Sequence, residues 1–146
     1  MTDLLKWAET LSPTAEEFEE LALNIWKTLP EDFRSLCPDL IFQIEEFPEE
    51  YILEELECET PYDLTGFFYG VGSNAPAMMV SEEPDLNTLW LFRRPILDCW
   101  AEGELTVKEI IAHIIITEIG HYFGMTDHDL ALIEVAASGR QTEIVH

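Results

Sequence analysis

Positive charge is what this sequence has least of. Seven Lys and Arg stand against 30 Asp and Glu in 146 residues, a formal net charge of -23 at pH 7. Such a chain repels a polyanion, which excludes binding to duplex or single-stranded nucleic acid. Cysteine is sparse as well. Cys37, Cys58 and Cys99 are odd in number and share no CxxC spacing, so neither a disulfide framework nor a thiolate metal site is indicated, and the three are expected to be reduced thiols in the core. No apolar run reaches the ~18 residues of a membrane span, and the start, MTDLLKWAET, lacks the basic-then-apolar order of a leader. A cytoplasmic protein without membrane partners is the expectation.

Apolar residues make up 47% of the chain, enough for a packed core despite the charge. The length suits one domain over residues 1–146, with its core over about 13–134 and a polar tail over 139–146. The acidity describes a soluble, self-repelling surface first. It also suits a basic protein partner, or mimicry of a nucleic acid, which the dispersed spacing of the acids disfavours.

Helix signals frame the two ends. Thr14 with Glu17 forms a capping box, and Phe18, Leu21, Ala22, Ile25 and Leu29 recur at helical spacing, which predicts a helix to about Thr28. Leu40 to Phe47 reads as a strand, and a short acidic helix follows Pro48. The aromatic run LTGFFYGV is β-prone, and a short strand is expected at Met78 to Val80. TLWLF, Thr88 to Phe92, is the last strong strand, with Pro95 suggesting an edge position or its end. Then comes LTVKEIIAHIIITEIGHYFG, with a capping box at Thr106 and Glu109 and a left-handed position at Gly124. Its apolar residues surround it almost completely, as in a buried helix. A last helix begins near Thr126 or Asp127, whose side chains can cap it.

The chemistry concentrates in Ile116 to Leu130, ITEIGHYFGMTDHDL. With His in place of Thr117 it would read HExxHxxGxxD. Two His four apart share one helix face and can hold one zinc, the Glu beside the first serves as general base, and Gly lets the chain turn back with a third ligand. The residues in those places are Thr117, Glu118, His121, Gly124 and Asp127. A hydroxyl is a poor zinc ligand. Thr117 instead suits a hydrogen bond to the His113 carbonyl one turn back.

These residues, with Asp129, the LTGFFYG run and WLFRRPILD ahead of the motif helix, resemble the minimal zincin-like metallopeptidase family of small bacterial proteins. The likeness runs from about Pro13 to Glu134. It implies an α+β fold, with a small mixed or antiparallel sheet packed on the motif helix between N-terminal and C-terminal helices. It also implies a zinc-dependent peptidase ancestry, here with a degenerate TExxH site and weak or lost activity. Zn2+ would then be held by His121, Asp127 and His128 or a water, with Glu118 activating the water. An extended peptide would lie on the sheet's edge strand, taken as the one ending at Arg93.

Each residue has a plainer role. Glu118 and His121 can pair without metal, His128 can face solvent, and Asp127 can cap the last helix. His113, eight residues from His121, is too far along the helix to share its ion and is expected to be packed or hydrogen-bonded on a buried face. Arg93 and Arg94 either bind a substrate carboxylate or pair with the acidic surface. Met78, Met79, Trp90 and Phe67 to Tyr69 are core first. The alternative to an enzyme is a non-catalytic binding module that keeps the fold and engages a basic protein partner.

Overall fold

A computed structural model describes residues 12–70 and 87–138. The expected strand at Met78 to Val80 and the tail from residue 139 lie outside them. The first helix, α1, spans Ala15–Thr28, and the predicted capping box closes it: the Glu17 N–H donates to Thr14 Oγ1 at 3.2 Å, and the Thr14 N–H donates back to Glu17 Oε1 at 2.9 Å. Its stripe of Phe18, Ala22, Ile25 and Trp26 is buried, with the acids outward. One turn, α2 (Glu31–Arg34), leads to β1 (Ile41–Glu45). A short α3 (Glu50–Glu55) and a 3-10 turn at Pro61–Asp63 precede β2 (Gly66–Tyr69). After β3 (Thr88–Phe92) come α4 (Arg93–Glu102), α5 (Val107–Tyr122) and α6 (Asp127–Ser138).

The fold is α+β with a mixed sheet. Among the described residues its order is β1-β3-β2, with β1 parallel and β2 antiparallel to β3. The expected edge strand is therefore the central one. Leu89 and Leu91 are fully buried and Phe92 nearly so, as suits a strand covered on both sides. Of the two roles open to Pro95, the strand's end holds and the sheet edge does not: it lies in the first turn of α4, directly after β3. Proline lacks the N–H that a helix start leaves unpaired, so the chain passes from strand to helix without a loop. Arg93 accordingly opens a helix instead of extending β3.

The motif helix α5 is the hub, packed against α1, α4, α6 and β2. Thr106 and Glu109 cap it as the sequence indicates. Ile111, Ile115, Ile116 and Ile119 are completely buried. A β-branched residue costs a helix a few tenths of a kcal/mol against Ala, while burying such a side chain contributes about 1.5–3 kcal/mol. Burial wins, so the isoleucine-rich stretch is helical. Of the three thiols only Cys37 belongs to the core; Cys58 is half-buried and Cys99 exposed, because the latter sits on the outer side of α4.

Candidate functional site

The site forms where α5 ends. Gly124 has φ +79°, and two main-chain bonds close the turn: the Met125 N–H donates to the Gly120 carbonyl at 2.9 Å and the Gly124 N–H to that of His121 at 3.1 Å. Thr126, not Asp127, caps α6. Its hydroxyl accepts from the Asp129 N–H at 3.1 Å, and Asp129 Oδ2 accepts from the Thr126 N–H at 3.3 Å. Gly120 admits Leu130 of α6 against α5, since a β-carbon there would lie 2.1 Å from Leu130 Cδ2. Together the turn and this contact carry the chain back toward His121.

Asp127 is left free of capping duty, its side chain 98% exposed, with Oδ1 3.5 Å from His121 Nε2. Two ligands of one tetrahedral zinc, with bonds of about 2.0–2.2 Å, stand about 3.3–3.6 Å apart. These two therefore span the correct distance. Glu118, one turn before His121 and partly buried, has its carboxyl held above the usual carboxylate range by burial; the His121 charge and the Phe68 backbone N–H oppose that shift.

The third donor is missing. Thr117 Oγ1 donates to the His113 carbonyl at 2.7 Å, the back-bond that the sequence suggested. His128 lies exposed in the first turn of α6. Among the described residues no group of three or more His, Cys, Asp or Glu is placed to hold a metal. The side chains present thus fit a zinc at two positions only. They do not make a complete resident site.

His113 is hydrogen-bonded, as one of its two expected roles, but on an exposed face. Its Nδ1 pairs with Glu134 Oε1 of α6, and its side chain is 61% exposed. Arg93 has a structural part: it donates to the Pro13 carbonyl at 2.7 Å, to Glu46 Oε1 at 2.9 Å and to Ser12 Oγ at 3.2 Å. Arg94 lies over the Phe47 ring, 5.8 Å from its centroid. Both line a surface cavity of about 450 Å³ with Tyr62 and Leu97, and no motif residue contributes to it.

Sequence reasoning missed an aromatic wall beside the site. The Phe68 ring meets Tyr122 edge-on at 5.0 Å and Phe123 at 6.2 Å, and Tyr122 and Phe123 are exposed. Their place within the motif, directly after His121, was the available signal.

No curated protein matches the chain. A family model described as zincin-like metallopeptidase matches residues 37–137, more than half of the sequence, and α1 lies ahead of that match. The mixed three-stranded sheet on a buried motif helix, followed by a glycine turn that returns an aspartate, accords with it. This chain belongs to the zincin-like metallopeptidase family.

Proposed function

We propose that this protein keeps the peptide cleft of its family and has lost most or all of the family's zinc-dependent hydrolysis. The observation that carries this reading is the Thr117 hydroxyl, turned back onto the His113 carbonyl where a ligand imidazole would be needed. Zn2+ is the cofactor that family membership suggests. His121 and Asp127 remain to receive it, with His128 or a water to supplement them. Removing a group that merely supports a ligand typically costs ~10–100-fold in affinity or activity, and loss of a ligand itself costs no less. Glu118 stands where the family's general base would stand.

A non-catalytic role with a basic protein partner is the second reading, favoured by the charge of -23 and by the full exposure of Asp127. Free thiols support a reducing, cytoplasmic setting for either role.

Zinc stoichiometry by equilibrium dialysis, with peptide hydrolysis assayed in parallel, separates these readings. The expected result is less than one tight zinc per wild-type chain and at least about tenfold tighter binding by Thr117→His. One tightly held zinc in the wild type, with hydrolysis abolished in Glu118→Gln while the metal stays bound, would restore the enzyme. Loss of all zinc binding in the wild type leaves the binding module.

A further inference from the structure

Strand β1 is one edge of the described sheet and lies well inside the described run 12–70. One bond fixes where its main-chain groups point. The Ile41 N–H donates to the Asn87 carbonyl at 2.9 Å, and the parallel register continues from Ile41 opposite Thr88 to Glu45 opposite Phe92. Along such a ladder one residue bonds to the neighbouring strand through both its N–H and its carbonyl, and the next through neither. Ile41, Gln43 and Glu45 therefore bond to β3. The N–H and carbonyl of Phe42 and of Ile44 point away from it, and none of these four groups has a partner among the described residues.

Alternation gives this edge two unlike sides. Phe42 belongs to the core and the half-buried Ile44 packs against it, while Ile41, Gln43 and Glu45 are exposed on the other side. The chain here is acidic, with Glu45 in the strand and Glu46, Glu49 and Glu50 after it. Arg93 engages Glu46, but Glu45, Glu49 and Glu50 have no ion pair among the described residues. An unpaired edge invites another strand, and like charge along it discourages a second copy of the same chain. Two copies would also set a charge of -23 against itself. A basic strand meets the open edge and the charge together.

We infer that β1 is the docking edge for an extended basic segment of a partner protein, which adds to the sheet beyond it. The inference rests on the basic-partner reading given above and deepens it. Phe42 and Ile44 supply two main-chain donors and two acceptors, and strand addition draws its affinity from such bonds. The guest's alternate side chains set its register: basic ones on the open side with Gln43 and Glu45, small apolar ones on the side of Phe42 and Ile44. This edge is separate from the His121 and Asp127 pair, because the motif helix packs against β2, on the far side of β3. Docking at β1 therefore needs no metal.

A blocked pentapeptide of alternating lysine and valine, titrated into the full chain at low salt, tests the edge by amide hydrogen exchange. At saturation the Phe42 and Ile44 amides should exchange at least about tenfold more slowly, while those of Gln43 and Glu45, already bonded to β3, are unchanged. The same peptide N-methylated at every residue keeps its charge and loses its main-chain donors, and it should bind at least about fivefold more weakly. Equal affinity of the two peptides, or protection without this alternation, overturns the docking edge and leaves attraction by charge alone, so a basic partner survives. If neither peptide binds, the basic-partner reading falls and the edge falls with it. Alternating protection that appears without peptide and grows with protein concentration overturns the inference in favour of a second copy.

Discussion

Thr117 and His113 are joined side chain to main chain across one turn of α5, at 2.7 Å, and the bond uses the one proton that the Thr117 hydroxyl can donate. Such back-bonds add little to a helix and often bend it. Threonine is also a weaker helix former than alanine. Thr117→Ala should therefore leave stability within about 0.5 kcal/mol of the wild type in urea titrations. A loss above about 1 kcal/mol would mean that the hydroxyl has a structural duty beyond its own helix.

Glu118 gives a pH dependence of defined sign. Burial raises its folded pKa above the unfolded value of about 4.3, so the folded chain holds this proton to higher pH. The contribution to stability is full below the unfolded pKa and is lost as pH rises through the folded one. Glutamine cannot ionise and suffers no such loss. The stability of Glu118→Gln minus that of wild type should increase between pH 4 and pH 7, measured by urea denaturation at intervals. A difference that is flat or falls would show that the Phe68 amide and His121 outweigh burial.

Glu57 is the only described residue other than glycine in the left-handed region, with φ 58°. It ends α3 in the same two-bond turn that Gly124 makes after α5: the Cys58 N–H reaches the Leu53 carbonyl at 2.8 Å and the Glu57 N–H that of Glu54 at 3.1 Å. A side chain there costs roughly 1–2 kcal/mol, and glycine's extra freedom when unfolded returns part of it. Glu57→Gly should stabilise the protein by about 0.5 kcal/mol, seen as a higher urea midpoint with unchanged slope.

The thiols should react in order of access. Burial pushes the Cys37 thiol up to about 11, with Asp39 adding to the shift, and burial followed by Asp63 raises that of Cys58. Thiolate is the reactive form. Alkylation of the native protein near pH 8, followed by peptide mass spectrometry, should label the exposed Cys99 first and Cys37 last. Early labelling of Cys37 would require an opening of the core near β1.

The sequence exposed what short-range chemistry controls. The capping boxes at Thr14 and Thr106, the stripe of α1 and the left-handed Gly124 are each set within a few residues, and each was readable. Strand order was not, because the pairing of β3 with both β1 and β2 joins residues at least 19 apart in the chain and leaves no local mark. Helix α4 escaped for another reason: one proline can end a strand or start a helix, and only packing decides. At the site, the spacing brings His121 and Asp127 together, 3.5 Å apart. The release of Asp127 by Thr126 depended on which of two adjacent capping residues took the N-terminus of α6, and sequence left both open.

The bend after α5 is closed by main-chain bonds and by a leucine seated on a glycine, and neither depends on an ion. Chelators should therefore leave the shape of this protein intact, unlike small domains that collapse when stripped of metal. A scaffold that does not rely on its ion for folding can shed an imidazole without penalty to its architecture. The architecture then remains available for recognition alone.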